Sequence, residues 1–378
     1  MTSRRPGDDY LPEPNWKLMA AYFTFFAWVI LVSYTRNFPL FIIPVALVTV
    51  GVLIYVIANF NMMRHPKAVR HLYRGLLALR RNQLDAALTE FDEAIRLYPA
   101  FGTAFANRGM VYLRKGNLDQ AIADCSQAIY LEPKLAGAYS TRAAAYMSKN
   151  MPDAALDDSN QAIALRPRSA NPYTVRGQAY LAKKVYPEAV LAFERAARLK
   201  PRDPALRLWL GTAYLNANQP EKTILEITRY LQFDPKNPMA YNNRADAYLK
   251  TGDMDAALAD CNQALRLNPQ FHLAYNTRGE TYFEMRRYED ALYDFMRAND
   301  FKPDDPFSIA GQAVCYFMLE QTDKAKLKWQ QLVALDARYQ DAEFFEAEHH
   351  PTKVLIDAAR KLVARLDTSD SVENTSRE

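Results

Sequence analysis

One pattern of residues returns along this chain every 34 positions, and that period constrains the fold more than any other feature. In the copy ending near Pro133 the pattern reads Phe105, Gly109, Tyr112, Ala121, Cys125, Ala128 and Pro133. The next frame holds Tyr139, Ala143, Tyr146, Ala155, Ser159, Ala162 and Pro167 in the same places. Later copies read Tyr173, Gly177, Tyr180, Ala189, Phe193, Ala196, Pro201, then Tyr241, Ala245, Tyr248, Ala257, Cys261, Ala264, Pro269. Another holds Tyr275, Gly279, Tyr282, Ala291, Phe295, Ala298 and Pro303. Eight frames tile residues 68–339 without a gap, and a slot number gives a residue's place within its frame.

Each frame splits into two helical stretches. In Met239 to Lys250, Tyr241, Ala245, Tyr248 and Leu249 fall three or four apart, on one face of a helix. Thr251-Gly252-Asp253 breaks the pattern, and Met254 to Leu267 resumes it with Ala257, Leu258, Cys261 and Ala264. Pro269 stops the second stretch, because proline lacks a donor and disfavours helix at the residue before it. Small residues where two helices cross let the backbones approach. The set of aromatic, Gly/Ala, Tyr, Ala and Pro at these offsets resembles the tetratricopeptide repeat (TPR). The resemblance implies an all-α fold, a right-handed superhelical solenoid of helix-turn-helix repeats stabilised by nearest-neighbour interfaces.

Two copies depart from the pattern. Residues 204–237 keep Gly211, Tyr214 and Pro235 but carry Arg207, Thr223 and Tyr230 where the aromatic and two alanines stand elsewhere. Overpacking a crossing predicts a local change of helix angle. Residues 306–339 keep Tyr316 and Ala325 beside Trp329, Leu332 and Ala337, as suits a terminal repeat. Within a capping region at 340–367, Lys353, Val354, Leu355, Ala358, Leu362 and Leu366 predict an amphipathic helix, and the polar stretch 368–378 predicts disorder.

Ahead of the repeats, after a tail at 1–17, lie two uncharged runs, Leu18 to Tyr34 and Phe38 to Phe60, separated by Thr35, Arg36 and Asn37. At ~1.5 Å per residue they reach about 26 and 35 Å, against a hydrocarbon core of roughly 30 Å. They predict a transmembrane helical hairpin at 18–60, joined to the repeats by a linker at 61–67. A cleaved signal peptide fits less well, since Asp8, Asp9 and Glu13 precede the first run and a second run follows it. Arg4, Arg5 and Lys17 flank one end, and Arg64, Lys67, Arg70 and Arg74 the other, while the tight loop holds only Arg36. The expectation is an integral protein of the plasma or inner membrane with its repeats in the cytoplasm. The basic exit also suits contact with anionic headgroups.

The rest of the composition mostly excludes. A net charge of +4 over 47 basic and 43 acidic side chains gives no dense basic stripe for nucleic acid. Cys125, Cys261 and Cys315 fall in helical core slots and read as small hydrophobes. No phosphate loop, dinucleotide fingerprint, paired CxxC or HExxH occurs, and His349-His350 reads as surface rather than as a metal site. The repeats leave no stretch for a catalytic domain. No enzyme, cofactor, metal or small-molecule substrate is expected.

The resemblance supplies the functional class: such arrays bind protein segments in a concave groove lined by first helices. One subtype grips a C-terminal carboxylate with lysines flanking an Asn at slot 6; Asn107 and Asn243 match that slot, but the lysines are missing. At inward slots 5 and 9 the early frames hold Leu72, Leu76 and Met110, and later ones hold Asn242, Asp246, Asn276 and Glu280. These seven are the candidate peptide-groove residues, with the polar four suited to basic or amide side chains. The alternative is that they only pack and solvate the repeats. The expected protein is a membrane-anchored scaffold or adaptor; the rival is an accessory or assembly subunit whose hairpin pairs with a partner's membrane helices. Arg at slot 7 (Arg74, Arg108, Arg142, Arg176, Arg244, Arg278) recurs with an acid at slot 23 (Glu90, Asp124, Asp158, Asp260, Asp294), which predicts an ion pair between helices.

Overall fold

The structure is a computed structural model that describes residues 65–375. The expected membrane hairpin at 18–60 lies outside the described residues. Among the described residues no helix is long and apolar enough to cross a membrane, and no strand occurs. They divide into two compact units between Lys183 and Lys184.

The first unit contains α1 (Pro66–Arg80), α2 (Leu84–Leu97), α3 (Gly102–Arg114), α4 (Leu118–Leu131), α5 (Ala136–Ser148), α6 (Pro152–Leu165) and α7 (Ala170–Ala182). The second contains α8 (Tyr186–Leu199), α9 (Pro204–Asn216), α10 (Pro220–Leu231), α11 (Pro238–Thr251), α12 (Met254–Leu267), α13 (His272–Glu284), α14 (Tyr288–Phe301), α15 (Pro306–Met318) and α16 (Thr322–Leu335). A 3₁₀ turn at Ala337–Gln340 leads into α17 (Ala342–His349) and α18 (Lys353–Thr375). Helix α18 thus continues into the stretch expected to be a disordered tail. Within each unit, a first helix packs on the second helix of its own repeat and on the first helix of the next wherever both belong to that unit. The first helices therefore form one continuous row in each unit, the row that the repeat resemblance sets on the inner side.

The break between the two helices of a repeat is a left-handed residue at slot 15. Asn82, Gly116, Asn150, Lys184, Asn218, Gly252, Arg286 and Glu320 all have positive φ. Gly252 adopts this at no steric cost, and Asn tolerates it. The next N–H then reaches back to slot 11: Asp253 N–H bonds the Tyr248 carbonyl at 2.9 Å, and Arg287 N–H the Tyr282 carbonyl at 2.9 Å. This closes the helix end without a side-chain cap.

Where the helices of a repeat cross, residue sizes compensate. A Cβ on Gly75 would fall 2.5 Å from the Phe91 ring, and one on Gly211 would fall 2.5 Å from Ile227 Cδ1. Where Ala143 or Ala245 replaces the glycine, the facing residue is Ser159 or Cys261, both fully buried. Phe91 and Phe295 are also fully buried, each contributing about 1.5–3 kcal/mol of transfer free energy.

The expected ion pair forms in four repeats. Arg108, Arg142, Arg244 and Arg278 each donate Nε and Nη2 to both oxygens of Asp124, Asp158, Asp260 and Asp294, at 2.6–2.8 Å. In each, Nη1 reaches slot 25 of the preceding repeat: Asp92, Ser126, Thr228 or Asn262. The guanidinium also lies over the aromatic rings at slots 4 and 11, such as Tyr275 and Tyr282. One side chain thereby joins three helices. Where slot 23 is Glu, the longer acid reaches back to slot 4 instead: Glu90 bonds His71 at 2.7 Å and Glu226 bonds Arg207 at 2.6 Å.

The divergent fifth repeat absorbs its substitutions chemically. Arg207 donates to the Pro201 carbonyl, as Tyr241 and Tyr275 hydroxyls do to Pro235 and Pro269. The buried Thr223 hydroxyl bonds the Gly211 and Gln219 carbonyls. Tyr230 turns its hydroxyl to Asp234, and α10 stops at 12 residues where its neighbours run to 14. Helix α10 is thus shorter by two residues than its neighbours.

Candidate protein-interaction face

The inner row of first helices presents slots 5 and 9, and its two units present different chemistry. In the first unit, Leu72 is 1 % exposed and shares a core cluster with Met110, Phe91, Phe101 and Val111, while Leu76 packs partly buried against it. Of these three apolar groove candidates, Leu72 and Met110 are buried in the core and Leu76 is half-buried against it, because each apolar surface finds a neighbouring repeat to cover it.

In the second unit the polar four come together on consecutive first helices, α11 and α13. Asn276, 5 % exposed, donates Nδ2 to Asp305 Oδ2 at 2.9 Å. Asp305 caps α15 by accepting from Ser308 N–H and also holds Lys302. Burial opposes ionisation of Asp305, but Lys302, Asn276 and Ser308 outweigh it and its pKa falls below the ordinary value. Asn276 therefore anchors the next repeat with its amide nitrogen, while its Oδ1 stays buried without a partner. The Oδ1 of Asn242 is buried and unpartnered too. An acceptor left so costs roughly 1–3 kcal/mol, which a ligand donor would recover.

The two carboxylates differ. Asp246 is half-buried and pairs with Lys250, one turn on, at 3.3 Å. Glu280 is 7 % exposed and accepts a hydrogen bond from Thr352 N–H at 2.5 Å. Burial pushes its carboxyl up to about 7; Asp246 adds to the rise, and Thr352 and Lys250 oppose it. The donor sits immediately before α18, so the chain's own C-terminal segment covers this end of the inner row. Ala310 and Val314, the inward slots of the last repeat, are fully buried in one cluster with Leu355, Ile356, Ala359 and Leu362 of α18. The expected capping helix covers the inward slots themselves, not merely the free edge of the last repeat. Nothing in the sequence tied Thr352 to Glu280, 72 positions away; only the amphipathic stripe of α18 hinted at the contact.

His349, expected at the surface, is packed among Phe307, Tyr339 and Phe345. Its Nε2 bonds the Tyr339 hydroxyl at 2.8 Å, and burial lowers its pKa. Among the described residues no group of three or more ligating side chains is placed to hold a metal ion. The three cysteines are buried and free, and burial raises their pKa values.

Two family models, both described as Tetratricopeptide repeat, match this chain, one at residues 238–271 and the other at 72–136, 141–204 and 174–238. With the fold, these matches place the chain in the tetratricopeptide-repeat family. Among solved structures, the APC/C hetero-tetramer Cut9-Hcn1 is 13% identical with a TM-score of 0.54, covering 74% of this chain and 52% of that one. A tetratricopeptide repeat protein from Parabacteroides merdae ATCC 43184 is 19% identical with a TM-score of 0.46, covering 66% and 99%. YrrB, a TPR protein with an unusual peptide-binding site, is 25% identical with a TM-score of 0.42, covering 49% and 95%. The likeness to Cut9-Hcn1 is one of fold. Comparison with the curated proteins finds no match. Proteins of this repeat class generally mediate protein–protein interaction.

Proposed function

We propose that this chain is a membrane-anchored adaptor that binds a protein partner on the inner row of its second unit. The observation that carries the reading is the pair of buried, unpartnered oxygens on Asn242 and Asn276, beside the carboxylates of Asp246 and Glu280. Acceptors with no donor on a face of successive first helices suit a ligand rich in N–H groups, from basic or amide side chains or from backbone. The apolar runs at 18–34 and 38–60 supply the anchor, and the basic residues flanking them favour repeats on the cytoplasmic side.

A photo-crosslinking amino acid placed at Asn242 or Asp246 in the intact protein, within its own membrane, tests the reading. Partner adducts at these positions and not at exposed second-helix positions such as Tyr130 are the expected result. Adducts confined to second helices would overturn it. Capture by fragment 64–378 as efficient as by the full chain makes the hairpin a tether; capture that needs the hairpin favours the accessory-subunit role.

A further inference from the structure

The face assigned to partners is not empty at its C-terminal end. Glu280, Ala310 and Val314 occupy inward slots of the last two repeats, and all three are covered by the chain's own residues from Thr352 onward. The covering helix has the form of a ligand: Leu355, Ile356, Ala359 and Leu362 lie on one stripe, each 1 % exposed or less. Its N-terminal end meets the Glu280 carboxylate, where the helix dipole favours a negative group. The fit is incomplete. Asn276 Oδ1 and Asn242 Oδ1 are both buried with no partner, so the resident segment leaves part of the polar strip unused.

The connection is short and hinged. His350 has a left-handed backbone (φ +48°) and is followed by Pro351, which separates α17 from α18. Arg360 of α18 pairs with Glu343 and Glu346 of α17, so these contacts tie α18 to its neighbour and not to the repeats.

We propose that α18 is a displaceable intramolecular occupant of the partner site, and that the partner supplies an amphipathic helix of the same pattern. Such a helix would set Leu or Ile where Leu355, Ile356 and Leu362 sit, with N–H donors ahead of its first turn for Glu280 and the two asparagines. This rests on the inward face being the partner surface. A helix that also satisfies the unpaired oxygens outcompetes the resident one, which makes binding conditional on release of the C-terminal segment.

The test uses the full-length protein and a labelled peptide of residues 350–366 as probe. Leu355→Glu with Leu362→Glu undocks α18, and this variant should bind the peptide at least ten-fold more tightly than the wild type. Equal affinity, with helical content retained, overturns the proposal. Hydrogen exchange on the wild type decides the matter even where the double variant fails to fold. The α18 amides should exchange at least ten-fold faster than those of α13 and α15, through local opening. Equal protection would mark α18 as a permanent cap and overturn the proposal, leaving the inward-face reading standing. Partner crosslinks confined to second helices would sink that reading without altering the exchange result.

Discussion

Asp294 and Glu280 belong to the same repeat and are both buried, yet they belong to different parts of the molecule's design. Asp294 is 1 % exposed and gripped by Arg278 through two hydrogen bonds. Glu280 faces the inner row and has a backbone N–H for a donor. Burial raises both carboxyl pKa values, but Arg278 opposes the rise at Asp294, whereas Glu280 reaches about 7. The slot of Asp294 holds an acid in six of eight repeats; the slot of Glu280 holds Leu, Met, Ala, Gln, Thr, Asp or Val elsewhere. The position that recurs joins helices of the repeats, and the position that varies meets, at Glu280, a segment outside the repeats.

The largest expected effect breaks that comparison if it fails. Asp294→Ala strands a mostly buried guanidinium and should lower the unfolding free energy of the repeat array by about 3 kcal/mol. Glu280→Ala loses one hydrogen bond but also removes a buried charge, so its cost should stay below about 1 kcal/mol. Chemical denaturation of both variants compares them, and equal losses would show that both carboxylates are framework.

The comparison sharpens with pH. The Glu280 carboxyl moves from an ordinary 4.5 to about 7 on folding, so between these values the folded state holds a proton that the unfolded state has released. The contribution of this group is complete below pH 4.5 and is lost as pH rises through 7. The groups around Glu280 are Asp246 and Lys250 of α11 and the Thr352 N–H. Glu280→Gln keeps an acceptor for Thr352 without the charge, so the variant should exceed the wild type by about 3 kcal/mol at about pH 8 and by less than about 1 kcal/mol near pH 5. Melting curves at the two pH values read this directly; a constant difference would remove Glu280 as the titrating group.

The repeat was legible in the sequence because each recurring slot solves a local problem: a crossing, a helix end or an interhelix pair. Arg278 and Asp294 were readable as partners since both lie at fixed slots. The burial of Leu72 and Met110 was not legible, because slot number gives a direction along a helix, whereas burial depends on what the neighbouring repeat brings. Glu280 was found by its slot, but its donor was not. Thr352 lies outside the period, and the contact depends on a chain reversal at His350 and Pro351 that no repeated pattern encodes. For the same reason His349 read as surface although tertiary packing half-buries it.

The smallest expected effect asks whether the framework pair is a rule of reach. In the fifth repeat slot 7 is Leu210, and Glu226 reaches Arg207 at slot 4, whereas in the seventh the shorter Asp294 meets Arg278 at slot 7. Glu226→Asp shortens the acid by one methylene, so it should lose Arg207 and cost about 1 kcal/mol. Adding Arg207→Tyr and Leu210→Arg rewrites the repeat in the pattern of the seventh. The new guanidinium then lies between the Tyr214 ring and a second ring at slot 4, with a short acid at slot 23. Glu194, at slot 25 of the preceding repeat, already bonds the Tyr214 hydroxyl and lies where the third guanidinium nitrogen points in the regular repeats. The triple variant should therefore recover to within about 0.5 kcal/mol of the wild type in the same denaturation experiment. Recovery would show that acid length selects which turn of the first helix carries the cation. A triple variant no more stable than Glu226→Asp alone would mean that the fifth repeat depends on its own packing around Thr223 and Tyr230, and that the ion pair there is incidental.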